Sequence, residues 1–131
     1  MQIIYHGLQP TEEWRLGVLT RSRMQVSTVT EAAALCILNS GSRREVAHVS
    51  HNHPVEEVLT VLNGQAELWL DDERETISSG QSVIIPPGSW HGFRDTGSET
   101  LHMQAIFAAP SFEASFEGQP EVMIHWAAAK A

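Results

Sequence analysis

The chain is poor in cysteine, in basic residues and in long apolar runs, and each shortage excludes a class of protein. Its single cysteine, Cys36, permits no intrachain disulfide, and its position in the apolar run AAALCIL is typical of a small core residue. Only 8 Lys and Arg stand against 16 Asp and Glu, and the formal charge of -8 disfavours nucleic acid and anionic membranes as partners. No segment approaches the roughly 20 apolar residues of a membrane span, and the amino terminus lacks a basic stretch followed by an apolar core. We therefore expect a cytoplasmic protein.

Short β-rich runs separated by Gly and Pro turns fill most of the chain. At 131 residues the sequence predicts one domain over 1–131, large enough to bury roughly two thirds of its unfolded surface. Many short strands at regular spacing predict a small antiparallel barrel or sandwich of the all-β class.

Several turns and segments are predicted from local composition. Asn-Gly between two β-rich runs predicts a type I′ hairpin at Asn63 and Gly64. Further turns are expected at 39–42 and 71–73. Residues 110–120 are expected to form a short helical turn or a lid, and the run VMIHW a strand or a helix.

Two histidines open the stretch HNHPVEEVLTVLNG, which covers 51–64. Alternate side chains of an extended strand share a face, so His51 and His53 point the same way and can meet one ion. Glu57 has the same parity, whereas Glu56 has the opposite one.

A third histidine lies in the stretch GQSVIIPPGSWHGFRD, which covers 80–95. A Pro-Pro-Gly turn comes shortly before His91 and presents it in a defined direction. Three imidazoles and one carboxylate are plausible ligands for a divalent transition metal: iron, manganese, nickel, copper or zinc. A closed structural zinc site would more often use cysteine thiolates.

These two stretches resemble the paired motifs of the cupin superfamily, G(X)5HXH(X)3-4E(X)6G and G(X)5PXG(X)2H(X)3N. The matching positions are His51, His53, Glu57 and Gly64 in the first motif, and Gly80, Pro86, Gly88 and His91 in the second. Glu45 replaces the leading glycine and Asp95 the closing asparagine, but neither is a ligand. The resemblance implies a double-stranded β-helix, a jelly-roll barrel with the metal near one open end. It also implies a homodimer in which residues 1–20 lie along the partner's barrel, although the aromatics there could equally pack within one subunit.

The superfamily that the chain resembles includes dioxygenases, isomerases, decarboxylases, lyases and non-enzymatic binding proteins, so the fold alone assigns no reaction. The leading hypothesis is a metal-dependent enzyme acting on a small oxygen-bearing organic substrate, with a dioxygenase favoured over an isomerase or lyase. The alternative is a module that binds a metal or small ligand without turnover.

Other side chains are candidates for roles around the metal. The candidate catalytic bases are Glu56, His102 and Tyr5. The candidate substrate contacts are Phe93, Gln104 and Trp69, with Leu59, Val61 and Met103 as further apolar walls. His102 and Gln104 qualify only if the polar face of the strand ETLHMQAIFAA lines the barrel. Arg43, Arg44 and Arg94 either pair with an anionic substrate or are solvated.

Overall fold

The computed structural model describes residues 1–14, 20–42 and 49–127. Over these ranges the chain forms twelve β-strands and two short 3-10 helices, His6–Leu8 and Thr28–Thr30, and no α-helix. The strands are β1 (Thr11–Trp14), β2 (Thr20–Val26), β3 (Cys36–Ser42), β4 (His51–Asn52), β5 (Glu57–Asn63), β6 (Gln65–Leu70), β7 (Glu73–Ser78), β8 (Ser82–Ile85), β9 (His91–Asp95), β10 (Leu101–Phe107), β11 (Phe112–Phe116) and β12 (Val122–His125). None of the described helices is long and apolar enough to cross a membrane.

The strands form two antiparallel sheets of six. The first has the order β1-β2-β3-β10-β5-β8 and the second β12-β11-β4-β9-β6-β7. Strands that follow one another in the chain often lie in different sheets, so the chain crosses repeatedly between the two layers. The predicted all-β class is confirmed.

The alternation of side chains along the strands determines where the core lies. In β10, Leu101, Met103, Ala105 and Phe107 are buried, whereas His102 between them is exposed. The inward sets of β5 and β11 follow the same period of two. Burying each large apolar side chain contributes about 1.5 to 3 kcal/mol, so this pattern fixes which face of each strand is inside.

The predicted hairpin at Asn63 and Gly64 is wrong. β5 pairs with β8 and β10, whereas β6 pairs with β7 and β9, so the chain passes from one sheet to the other here. Gly64 has a φ of 91° but Asn63 is not left-handed, as a type I′ turn would require. A Cβ on Gly64 would lie 3.2 Å from the Thr100 carbonyl oxygen. The absence of a side chain at Gly64 therefore lets the backbone pass close to the start of β10.

The turn predicted at 71–73 is confirmed for Asp71 and Asp72, whereas Glu73 already begins β7. Leu70 pairs with Glu73, which leaves Asp71 and Asp72 as a two-residue loop, with Asp71 at a φ of 51°.

Two further local predictions are contradicted: the turn at 39–42 and the helical-turn alternative for 110–120. Residues 39–42 belong to β3, where they pair with both β2 and β10. Residues 112–116 form β11 rather than a helical turn, because Phe112, Ala114 and Phe116 alternate with polar residues and bury one face. The run VMIH forms β12, the strand alternative, at the edge of the second sheet. Arg43 and Arg44 lie outside the described residues.

Candidate metal centre

The four predicted ligands come together from both sheets. His51 on β4 is the register partner of His91 on β9 in the second sheet. Glu57 opens β5 in the first sheet, and His53 follows directly after β4. Their potential ligand atoms all lie within 4.8 Å of one another. His53, Glu57 and His91 are buried and His51 is half-buried.

Backbone carbonyls fix the orientation of two of the imidazoles. Nδ1 of His53 lies 2.7 Å from the carbonyl oxygen of Glu113, and Nδ1 of His91 lies 2.9 Å from that of Ser89. A carbonyl oxygen only accepts hydrogen bonds, so both Nδ1 atoms carry a proton and donate. In the neutral ring, Nε2 then has a free lone pair.

Both Nε2 atoms point at the same carboxylate oxygen. Oε1 of Glu57 lies 3.1 Å from Nε2 of His91 and 3.3 Å from Nε2 of His53. The buried His53 Nε2 makes no hydrogen bond of acceptable geometry. A carboxylate oxygen and a neutral Nε2 are both acceptors, so their approach requires a cation or additional protons between them. Imidazole nitrogen and carboxylate oxygen suit a divalent transition metal, and the donor set fits such an ion.

The electrostatics of the cluster keep its donors ready to bind. Burial, reinforced by His91 and His53, holds the pKa of His51 well below its usual 6.5, so that ring is neutral at neutral pH. Burial alone would raise the pKa of Glu57, but its contacts with His53 and His91 outweigh this and lower the pKa from 4.5 to about 2. The cluster therefore offers an ionised carboxylate.

Phenylalanine rings hold two of the imidazoles in place. His51 stacks on Phe116 with ring centroids 5.1 Å apart and planes 25° apart. His53 lies between Phe107, 4.7 Å away, and Phe112, 5.3 Å away. Packing of this kind restricts the rotamers of ligands and preorganises a site.

A cavity of about 80 Å³ adjoins the cluster. Its walls are mostly apolar, with Leu38, Val49, Leu59, Phe93, Met103, Ala105, Phe107, Phe112 and Phe116 beside Ser22, Ser40 and Gly92. Among the described residues, its titratable lining side chains are His51, His53 and Glu57, all of them candidate ligands, and no Lys or Arg lines it. The cavity therefore fits an apolar molecule that carries a group able to bind a metal.

Only some of the predicted substrate contacts line the cavity. Phe93, Leu59 and Met103 line the cavity, whereas Val61 is buried in the core outside the lining. Trp69 does not line the cavity: its ring packs against Gly92, and its Nε1 donates to Ser50 Oγ at 2.9 Å. Its parity in β6 is opposite to that of the inward-facing Leu68, which corrects the expected substrate contact.

The polar face of β10 points away from the cavity. His102 is exposed, and the amide of Gln104 donates to Gln25 Oε1 at 3.1 Å on the outer side of the sheet. The condition on which His102 and Gln104 were candidates is therefore not met, and both roles are corrected, because the odd-numbered residues of β10 fill the inside. Glu56 is exposed as well, since its parity is opposite to that of Glu57.

Two further candidates also lie outside the lining. Tyr5 is 65% exposed. Arg94 lies with its Nε 3.3 Å from Glu67 Oε1 rather than in the cavity.

Several lining residues were not predicted from the sequence. Phe112 and Phe116 had a readable signal, the period of two in FEASF, which favours a strand over the helical turn assigned there. Ser22 and Ser40 had none, because no local pattern distinguishes an inward serine from an exposed one.

Comparisons with known proteins agree with this architecture. The family model described as "Cupin domain" matches residues 36–107. The polyketide cyclase RemF from Streptomyces resistomycificus superposes with a TM-score of 0.70 at 21% identity, covering 98% of this chain and 87% of that one. Oxalate decarboxylase from Lactobacillus farciminis superposes with a TM-score of 0.71 at 16% identity, over 82% of this chain and 33% of that one. The jelly-roll barrel expected from the motifs is thereby confirmed.

A relative by sequence matches only in part. An uncharacterized protein from Aquifex aeolicus (strain VF5) is 38% identical over 69 residues, which are 53% of this chain. The match spans 54% of the Aquifex protein, about half of its length.

Proposed function

The chain belongs to the cupin family, and from that premise we propose that it is a metal-dependent enzyme acting on a small, largely apolar organic substrate that bears oxygen, with oxygenase chemistry favoured. The observation that carries the proposal is the meeting of two buried Nε2 atoms with one carboxylate oxygen beside an apolar cavity. Two similar structures are named as enzymes, an oxalate decarboxylase and a polyketide cyclase, and both names refer to oxygen-bearing compounds.

His51, His53, Glu57 and His91 would hold the ion. When bound, a divalent transition metal supplies Lewis acidity and, in the case of iron, dioxygen activation. The protein's own contribution is to hold the donors by the carbonyls of Glu113 and Ser89 and by the phenylalanine rings. The apolar walls exclude water from the reacting centre.

The described cavity lining offers no acid or base apart from the candidate ligands, and this favours an oxygenase over an isomerase or lyase. An isomerase or lyase needs a positioned group to move a proton to or from carbon. In the described part of the chain, each titratable side chain of the cavity lining is a candidate ligand, and Glu56 and His102 are exposed. The same observation also agrees with the alternative, a non-catalytic binding module, because such a module needs no base either.

Elemental analysis of untagged protein tests the metal site. We compare the native chain with His51→Ala and His91→Ala, and with His102→Ala as a control, because His102 is exposed and outside the cluster. The native chain and the control should carry close to one transition metal per chain, and both cluster variants should lose it. Absence of metal after reconstitution with iron, manganese, nickel, copper and zinc in turn would overturn the metalloenzyme proposal.

Turnover separates the enzyme from the binding module. The loaded protein is screened for dioxygen uptake against phenols, diketones and hydroxy acids. Metal-dependent uptake that His91→Ala abolishes and His102→Ala retains would support the oxygenase. Binding of the same compounds without consumption of dioxygen or substrate would favour the module.

A homodimer through the amino-terminal segment also stays a proposal. Ile3, Tyr5 and Leu8 are 64%, 65% and 81% exposed. This segment therefore presents apolar surface to solvent that a partner subunit would cover. Light scattering of the native chain and of Leu8→Glu tests it. A dimer in the native chain that the variant weakens would support the interface, and a monomeric native chain would refute it.

A further inference from the structure

A pair of serines lines the cavity on strands that carry no candidate ligand. Ser22 on β2 and Ser40 on β3 are register partners in the first sheet. Both are buried and line the same cavity as His51, His53 and Glu57. They are the hydroxyl-bearing side chains of the described lining, which is otherwise apolar apart from the ligand cluster.

Among the described residues, the hydroxyl of Ser22 has no hydrogen-bond partner. Ser22 is 0% exposed, and its buried Oγ makes no hydrogen bond within the described part of the chain. Buried polar atoms nearly always have a partner, so an unpaired one requires an explanation. The adjoining cavity has room for several atoms, since one water needs only about 10 to 15 Å³. An oxygen of a bound molecule would therefore satisfy Ser22.

The serines are too far from Glu57 for one functional group to reach both. Ser40 pairs with Met103 and Glu57 pairs with Phe107, four residues further along β10. Four residues correspond to about 13 Å along a strand, and β10 separates β3 from β5 by two strand spacings of roughly 5 Å each. A ligand that satisfies both ends needs two oxygen-bearing groups joined by an apolar body.

We propose that Ser22 and Ser40 form the specificity-determining end of the cavity, where they bind a neutral hydroxyl or carbonyl oxygen of the substrate while another of its oxygens lies at the metal cluster. The inference rests on the proposed function and names its substrate class: an elongated apolar molecule with oxygen at both ends. The distal oxygen is neutral, because no Lys or Arg of the described lining could balance a carboxylate or phosphate there.

Matched pairs of hydroxamates test this proposal on the metal-loaded full chain. The probes are butyl, hexyl and octyl hydroxamates, each with and without a hydroxyl at the far end, and an octyl hydroxamate with a far carboxylate. The hydroxamate binds the metal, so each pair isolates the contribution of the distal group. Calorimetry measures each dissociation constant for the native chain, Ser22→Ala, Ser40→Ala and the double variant. Ser82→Ala is the control, because Ser82 is exposed and bonded to Thr60 on the outer face.

In at least one pair of probes, the added hydroxyl should lower the dissociation constant for the native chain about tenfold, which is the gain expected from one well-made hydrogen bond. The double variant should lose this advantage while binding the unhydroxylated probe as before, and Ser82→Ala should keep it. The probe with the far carboxylate should bind no tighter than the unsubstituted octyl hydroxamate. The proposal is overturned if no pair shows a preference in the native chain, or if the double variant retains it.

Thermal unfolding of the metal-free variants distinguishes recognition from a structural role. Because Ser22 Oγ has no partner in the described part of the chain, Ser22→Ala should leave the midpoint unchanged or raise it. A clear fall would show that the hydroxyl stabilises the fold and would count against recognition. If the unsubstituted hydroxamates bind and His51→Ala abolishes their binding, the metal site stands even when the serines fail. If no hydroxamate binds a metal-loaded chain, both proposals fail.

Discussion

Gly92→Ala is the substitution for which the structure predicts a large destabilisation from one added methyl group. A Cβ at this position would lie 2.3 Å from Cζ2 and 2.6 Å from Cε2 of Trp69. The indole is 6% exposed, so it cannot move aside into solvent. Carbon atoms in contact need about 3.5 Å, so the ring would have to shift by roughly 1 Å.

The shift has two costs. Overpacking of this kind destabilises by about 1 to 3 kcal/mol. Moving the indole also lengthens the hydrogen bond from Trp69 Nε1 to Ser50 Oγ, now 2.9 Å, at about 0.5 to 1.5 kcal/mol. We therefore expect Gly92→Ala to lower the free energy of unfolding by about 2 to 4 kcal/mol, or the midpoint by roughly 6 to 16 °C for a chain of this size.

Gly41→Ala is the matched control, because it also lies in a strand. Among the described residues, its Cβ would meet nothing closer than 3.5 Å, an ordinary contact with His102. Replacing this glycine should be neutral or stabilise by up to about 1 kcal/mol, through the reduced entropy of the unfolded chain. Both variants are measured by calorimetry and urea unfolding in chelator, so that metal affinity does not contribute. A Gly92→Ala midpoint equal to that of the control would refute the packing argument.

Three further predictions concern titratable groups. Burial raises the pKa of the Cys36 thiol to about 12, so the native protein should not react with a disulfide reagent at mildly alkaline pH. The unfolded chain in concentrated guanidinium should react fully. Rapid reaction of the native chain would contradict the prediction. The pKa of Glu57 is about 2 instead of 4.5, so the ionised carboxylate stabilises the metal-free fold above pH 4.5. As the pH falls towards 2, the free energy of unfolding should decrease by up to about 3 kcal/mol. Urea unfolding at neutral pH and at about pH 3 should show a larger loss for the native chain than for Glu57→Gln, and equal losses would refute the assignment. His125 Nδ1 lies 2.7 Å from Glu12 Oε2 in a partly exposed pair. Glu12→Gln should therefore lower the free energy of unfolding by only about 0.2 to 1 kcal/mol, and by less in high salt. A decrease that does not depend on salt would count against the ion pair.

Local spacing was enough to identify the four candidate ligands. His51, His53 and Glu57 share a parity that places them on one side of an extended chain, and the Pro-Pro-Gly turn before His91 is equally local. No distant contact is needed to recognise such a pattern, and the structure brings these four side chains together within 4.8 Å. The all-β class followed in the same way, from the density of short β-rich runs.

Strand pairing could not be predicted from local chemistry. Asn63 and Gly64 have the composition of a hairpin, but β10 and β8 flank β5 and thereby force the chain into the other sheet. Residues 39–42 have turn composition yet extend β3, because β2 and β10 supply hydrogen bonds on both sides. In each case the energy of pairing with distant strands outweighs the preference of a few residues.

Residue types and short spacings suffice to give the composition of the candidate metal cluster and the strand class, because neither depends on which distant strands pair. Which face of each strand is inside follows only from how the sheets pack. This packing places His102 and Trp69 outside the cavity lining and Phe112 and Phe116 within it, and it leaves the Ser22 hydroxyl buried without a partner among the described residues. Parity divides a strand into two faces, but only the burial of the whole sheet against its partner selects one of them.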